Sequence, residues 1–330
     1  MRAVVVKEFG PILSHALDVL PDATPNQGEV LVTIKATAVN YVDSLVVTGK
    51  YQFLPERPFV PGKLPAGVVS ELGAGVTHLE VGDRVLALAE QGGYAERIVV
   101  DARQCFELPP TMSFVDAASM ALVYDTSWFA LRERARLCEG ESVLVLGSTG
   151  GVGFACVQLA KTLGAKVLAG VSNAAKSPLA FAAGADAIID LSKDNLRDSL
   201  RVQVLQNNND SGVDIVIDPI GGDAFDAALR ALAWRGRLVV IGFASGRIPS
   251  IKANYLLVKN IEVSGLQVSD YRKRAPDLMN QCMREIFALF EAGKLKPAPV
   301  VIRRLEDFAQ ALQDVVDRRI NGRIVLVPDP

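Results

Sequence analysis

Histidine is nearly absent from this sequence: His15 and His78 are the only two in 330 residues. A catalytic zinc draws its ligands from Cys, His and carboxylates. No cysteine stands near either histidine in sequence, so both read as surface residues. The same scarcity removes a Ser-His-Asp triad. Cysteine is sparse too. Cys105, Cys138, Cys156 and Cys282 stand far apart with no C-x-x-C, so neither a zinc knuckle nor a disulfide framework is indicated. A reduced, cytoplasmic chain is the simpler reading. No sign of charge dominates. The 35 basic and 37 acidic side chains leave a formal net charge of −2, which argues against nucleic acid or an anionic membrane as a partner. The opening residues, Met1 to Lys7, are too short an apolar run for a signal peptide. There is no repeat at a solenoid period and no low-complexity segment. One uncharged window, residues 142–160, has the length of a membrane span. It is broken by Gly147, Gly150, Gly151 and Gly153 with Ser148 and Thr149 among them, which reads as strand, turn and helix instead.

What is present is apolar bulk, 50% of the residues, enough for a large core, and a length that suits two domains. Up to about residue 115 the chain reads as mainly β, with short runs such as Val4–Lys7 and Val30–Ala36 between glycine turns. From Ser142 the period changes. Strands are expected at Val143–Leu146, Lys166–Ala169, Ala187–Asp190, Asp214–Asp218 and Arg237–Ile241. Helices are expected at Val152–Leu163, Lys176–Ala183, Leu196–Leu205 and Ala224–Trp234. This alternation predicts a doubly wound parallel sheet covered on both faces. The tail adds helices at Pro276–Glu291 and Leu305–Arg318 and a strand at Arg323–Val327. These pieces are too few for a domain of their own, so the tail is expected to return to the first one.

The sharpest motif runs from Val143 to Gly153. Glycines at 147, 150 and 153 give G-x-x-G-x-x-G, with Ser148, Thr149, Gly151 and Val152 between them. A dinucleotide site needs a backbone that turns sharply, approaches a pyrophosphate closely and opens a helix whose N-terminus faces the negative charge. The apolar strand before the motif and the helix after it supply that context. An NAD site usually adds an acid about 20 residues on, to hold the ribose 2′-hydroxyl. Here the second strand ends Gly170-Val171-Ser172-Asn173 with no acid. Ser172, Asn173 and Lys176 suit a 2′-phosphate, so NADPH is the expected cofactor; the other reading of Lys176 is a solvated helix lysine.

With these residues assembled, the chain resembles the zinc-independent, zeta-crystallin-like NADPH:quinone oxidoreductases of the medium-chain dehydrogenase/reductase superfamily. The resemblance runs from Met1-Arg2-Ala3-Val4-Val5 through Val39-Asn40-Tyr41-Val42-Asp43, Val81-Gly82-Asp83-Arg84-Val85 and the glycine motif. It continues through Asp218-Pro219-Ile220-Gly221-Gly222 and Gly242-Phe243-Ala244-Ser245-Gly246 to Asn321-Gly322-Arg323-Ile324-Val325-Leu326. It implies an α/β fold: a GroES-like β-rich catalytic domain from residues 1–118 and 267–330, a Rossmann domain from 119–266, and an active site in the cleft between them. It also implies a homodimer through Rossmann edge strands, the candidate here being Ile261–Leu266.

Carried over by position, the resemblance places Asn40 near the nicotinamide and Tyr41 facing the substrate. Tyr51 matches a tyrosine that donates a proton in related enoyl reductases. Thr126 falls at the nicotinamide end, Phe243, Ser245 and Leu266 on the loops holding the carboxamide, and Arg323 near the 2′-phosphate. The alternatives are a packing role for Tyr51, a loop-stabilising one for Asn40, core or turn roles for Thr126, Phe243, Ser245 and Leu266, and an exposed surface arginine at 323. Two departures stand out. Pro61-Gly62 is followed by Lys63-Leu64-Pro65 where the family often has Ser-Glu, and Asp125 sits where a small glycine is common. The expected activity is reduction of a quinone or an α,β-unsaturated carbonyl by NADPH. An enoyl- or acryloyl-thioester reductase is a second reading, which would use Tyr271-Arg272-Lys273-Arg274 for the phosphates of coenzyme A. A non-catalytic NADPH-binding protein, structural or RNA-binding, is a third.

Overall fold

A computed structural model of the chain describes residues 1–328. The chain divides into two units, Met1–Leu122 with the segment from Lys296 onward, and Val123–Leu295.

The first unit is built on a seven-stranded sheet. Its longest strand, Glu29–Ala38, pairs antiparallel with Ala66–Leu72, with Arg97–Asp101 and with the C-terminal strand Arg323–Val327. Val30, Val32, Ile34, Val69, Val85 and Ile98 form the core of this layer. The C-terminal strand pairs Val325 with Ala38 and Leu326 with Thr37, so the tail does return to the first domain. It returns later than the sequence indicated, at Lys296 and not at 267. The physical reason lies in helices Val268–Arg274 and Pro276–Glu291. They are tied to the second unit by Arg272 on Asp125, by Tyr271 on Phe129 with ring centroids 4.5 Å apart, and by the Trp128 indole N–H donating to Glu285 at 2.8 Å.

The second unit holds a six-stranded parallel sheet in the order Ala187–Asp190, Lys166–Val171, Ser142–Val145, Val213–Asp218, Leu232–Val240, Glu262–Gly265. From Ser142–Val145 the chain winds one way through the next two strands in sequence, and from Val213–Asp218 the other way. The strand order therefore reverses between those two central strands, which is where open α/β sheets bind ligands, beyond the carboxyl ends. The uncharged window resolves into strand Ser142–Val145, a turn, and the twelve-residue helix Gly151–Thr162. No helix among the described residues is long and apolar enough to cross a membrane.

Most expected elements are present with shifted ends. The helix expected over Ala224–Trp234 runs from Gly222 to Ala231. Leu232 is extended and buried, and it begins strand Leu232–Val240, so the stretch read as one helix is shared between two elements. The N-terminal strand is Arg2–Val5 rather than Val4–Lys7. Helix Tyr41–Val47 lies inside the stretch read as β.

Candidate active site

In the first unit the site grows from the end of strand Glu29–Ala38, where Asn40 opens helix Tyr41–Val47. Asp43 reaches back and accepts the Asn40 backbone N–H at 2.9 Å, a capping-box arrangement. The same Asp43 oxygen accepts the Tyr94 hydroxyl at 2.8 Å. The antiparallel register that sets Val325 against Ala38 carries Arg323 up to Asn40. Its Nη2 donates to Asn40 Oδ1 at 2.7 Å, while Asn40 Nδ2 donates to the Ala38 carbonyl at 3.1 Å. Asn40, Asp43, Tyr94 and Arg323 are all buried. Arg323 is therefore not an exposed arginine; it is seated on the Asn40 amide.

Lys63 fills the place where the resemblance led us to expect a serine-glutamate pair. It is buried, and its ammonium donates to the side chain and to the backbone carbonyl of Glu90, each at 2.9 Å. Gly62 precedes it because a Cβ there would fall 2.4 Å from the Tyr94 ring, on backbone already at φ +91°. Burial pushes the Asp43 carboxyl above the usual range, while the Lys63 charge, the Tyr94 hydroxyl and the Asn40 N–H oppose it. Burial, reinforced by the Asp43 charge, raises the Tyr94 phenol well above its ordinary value. Tyr94 thus stays a neutral donor. On the outer side of the same segment Tyr41 is exposed, and the half-buried Tyr51 packs edge-on against the exposed Phe53, with ring centroids 6.4 Å apart.

In the second unit, Gly147 to Gly150 form the turn between strand Ser142–Val145 and helix Gly151–Thr162. Gly147 has φ +63°, and a Cβ on Gly153 would sit 2.1 Å from the Gly147 carbonyl oxygen. Turn and helix thus meet without room for a side chain, and the first-turn N–H groups, at Gly151, Val152 and Gly153, have no acceptor within the helix. Thr149 is half-buried at the turn. Ser148 lies inside the turn. It is fully buried, its N–H donates to the Gly170 carbonyl at 3.0 Å, and its hydroxyl donates to the Val145 carbonyl at 2.7 Å. It braces the turn against the second strand.

That second strand ends at the buried, neutral Val171, followed by exposed Ser172 and Asn173. The Asn173 side chain accepts the Ala175 N–H at 3.0 Å and caps the short turn Ala174–Lys176. Ala244 and Ser245 donate their backbone N–H groups to Pro219 and Ile220, and Leu266 donates to Val240 at 3.0 Å, so the loops carrying Phe243, Ser245 and Leu266 are fastened to the carboxyl ends of the central strands. Asp125 is fully buried and paired with Arg272, whose side chain is 2% exposed. The run Tyr271-Arg272-Lys273-Arg274, a candidate for the phosphates of coenzyme A, is thus not wholly available to solvent: Arg272 is held inside, and Lys273 and Arg274 are exposed. The sequence reading missed Asp43, Tyr94, Glu90 and the partnership of Arg272. The Asn40-x-x-Asp43 spacing is a capping signal; nothing local announces the other three.

The alcohol dehydrogenase GroES-like domain family matches residues 26–110, and the zinc-binding dehydrogenase family matches residues 151–284. A quinone oxidoreductase-like protein 2 homolog from Nematostella vectensis is 36% identical, over 98% of this chain and 88% of the relative. The chain belongs to the quinone oxidoreductase-like medium-chain dehydrogenases/reductases. Solved structures in this family superimpose closely on the quinone oxidoreductase-like chain. A mycobacterial protein complexed with NADPH is 30% identical with a TM-score of 0.92, covering 99% of this chain and 100% of its own. Escherichia coli quinone oxidoreductase complexed with NADPH is 27% identical with a TM-score of 0.91, at 99% and 100% coverage. Despite the family description that names zinc, no group of three or more His, Cys, Asp or Glu side chains suited to a metal ion occurs among the described residues.

Proposed function

We propose that this quinone oxidoreductase-like chain is a zinc-independent reductase that uses NADPH to reduce a quinone or an α,β-unsaturated carbonyl by hydride transfer. The observation that carries this reading is the Gly147–Gly153 turn, which leaves no room for a side chain at Gly153, at the carboxyl end of a central parallel strand and beside a second strand ending without an acid. These residues fit NADPH. Gly151, Val152 and Gly153 would offer backbone N–H groups to the pyrophosphate. Ser172, Asn173 and Lys176 would hold the 2′-phosphate. Among the described residues no hydrogen bond or ion pair engages the Lys176 ammonium. Thr126, Phe243, Ser245 and Leu266 would line the nicotinamide. When bound, NADPH supplies a hydride; the chain's own residues must then orient the substrate and deliver one proton.

Asn40, held by Arg323 and Ala38, is the fixed amide of the site, and Tyr41 and Phe53 offer aromatic faces suited to a flat, apolar acceptor. Tyr51 is the proposed proton donor, its hydroxyl giving a proton to the oxyanion or carbanion that hydride addition leaves. The zinc-independent reading rests on the residues. His78 faces the Ala102 carbonyl at 3.1 Å, His15 is buried and not the surface residue its sequence suggested, and no third histidine exists. Four free cysteines suit the reducing cytosol. We also propose a homodimer joined at the edge strand Glu262–Gly265.

The test is a titration with NADPH and NADH, followed by turnover with 1,4-benzoquinone, 9,10-phenanthrenequinone, a simple enone and crotonyl-coenzyme A. NADPH is expected to bind at least about tenfold tighter than NADH, with that preference collapsing in Lys176→Ala. A quinone or the enone is expected to turn over. Equal or tighter NADH binding would overturn the 2′-phosphate reading. Binding without turnover on all four would return the chain to the non-catalytic reading.

A further inference from the structure

Asp125 and Arg272 lie 147 residues apart and meet fully buried in the second unit. Asp125 belongs to helix Phe114–Trp128 and Arg272 to helix Val268–Arg274. Each charge stands beside a segment that matters to the proposed site. On one side, Asp125 Oδ1 accepts the Thr126 backbone N–H at 2.5 Å and lies 3.3 Å from the Thr126 hydroxyl, which can only donate to a carboxylate. On the other, the helix of Arg272 starts directly after Leu266 and Gln267. The Gln267 side chain accepts the Ser269 N–H at its start, and Leu266 is fastened to Val240. Tyr271 packs on Phe129, and Cys282 is buried close enough to feel both charges. A buried carboxylate without a partner would be costly and would place net negative charge next to the cofactor. Paired with the guanidinium, it is neutral in sum.

We propose that the Asp125–Arg272 ion pair is a positioning device for the nicotinamide: it bolts the Thr126 and Leu266 segments together and turns the Thr126 hydroxyl proton inward, so that Thr126 Oγ1 meets the cofactor as a hydrogen-bond acceptor and selects the carboxamide N–H. This rests on the NADPH reading of the site. Asp125 and Arg272 touch neither cofactor nor substrate; they act through Thr126.

The consequence is a chemical preference that no merely structural role would create. NADP⁺ carries a carboxamide N–H, and its 3-acetylpyridine analogue carries a methyl ketone with no donor. The unmodified protein is expected to bind NADP⁺ about fivefold tighter than the analogue, the weight of one neutral hydrogen bond. In the double variant Asp125→Ala with Arg272→Met, which removes both charges together, the preference falls to within about twofold. The conservative variant Arg272→Lys retains it. Adenosine 2′,5′-bisphosphate, which has no nicotinamide, should bind all of these proteins alike, which separates repositioning from collapse of the nucleotide site. Should the double variant not fold, Thr126→Val and Thr126→Ser decide: valine loses the preference and serine keeps it. A preference that survives in the folded double variant or in Thr126→Val overturns the proposal, as does its absence in the unmodified protein. Failure to bind adenosine 2′,5′-bisphosphate or NADPH at all would instead overturn the NADPH reading, and this inference with it.

Discussion

Asp218 ends the central strand Val213–Asp218, and one of its oxygens accepts the backbone N–H groups of Ile220 at 2.8 Å and Gly221 at 2.9 Å. The turn so held packs against the glycine motif, since a Cβ on Gly147 would meet Ile220 at 3.1 Å. Burial nevertheless dominates, and the Asp218 carboxyl is pushed from 3.8 to about 6. The folded chain therefore holds this proton more tightly than the unfolded one. The resulting stability is complete below pH 3.8 and is lost as the pH rises through about 6. A carboxyl raised that far is worth about 3 kcal/mol between its two protonation states. Asp218→Asn keeps an oxygen for both N–H groups and removes the charge. Its stability relative to the unmodified protein should therefore improve as the pH rises from 3.8 to about 6, by up to about 3 kcal/mol in urea unfolding. A difference that is flat across that range would refute the assignment. Arg323 gives a second prediction. It donates to Asn40, so Arg323→Met should lower kcat about tenfold or more, while NADPH affinity changes less than about twofold. A selective loss of NADPH affinity with NADH unaffected would restore the 2′-phosphate role expected from position alone.

Helix Gly151–Thr162 depends on how closely its first turn lies against the turn before it. Gly153→Ala would drive a Cβ to 2.1 Å from the Gly147 carbonyl oxygen, a backbone atom that cannot swing aside. Gly150→Ala would meet the same oxygen at an ordinary 3.4 Å and keeps a negative φ. The first should cost about 2–4 kcal/mol and abolish NADPH binding; the second, at an N-cap position, about 1 kcal/mol or less. Equal costs in chemical unfolding would show that the motif glycines serve the ligand alone. At this scale the sequence was informative where the chemistry is local. The apolar strand, glycine turn and helix at 142–162 were readable because all three lie in one short stretch. Helix ends were not. Nothing local in residues 224–234 marks an end at Ala231; there Leu232 turns extended and is buried at the start of the next strand. Arg272 looked like one charge among three because its partner Asp125 is brought to it by the fold. Tyr94 likewise carries no sign in its neighbours that Asp43 waits 51 residues upstream.

The six-stranded sheet stops at Glu262–Gly265, which is hydrogen-bonded on one side only, to Leu232–Val240. An open strand edge offers unpaired N–H and C=O groups to any other strand and is usually covered or charged. Here helix Ala253–Lys259, which leads into it, carries Leu257 and Val258, 78% and 75% exposed. An unpaired edge with exposed apolar residues close to it in sequence suits a two-fold edge-to-edge pairing of identical sheets. Such a contact is self-complementary and closes after two copies. The chain should therefore sediment as a dimer at micromolar concentration. The double variant Leu257→Glu with Val258→Glu places four like charges across the axis and should sediment as a monomer with unchanged far-ultraviolet circular dichroism. NADPH affinity should persist in that monomer, because every residue proposed to hold the cofactor lies within one chain. A monomeric unmodified protein, or a variant that stays dimeric, would remove the edge strand from the interface. Loss of NADPH binding on dissociation would mean that the second copy completes the nucleotide site.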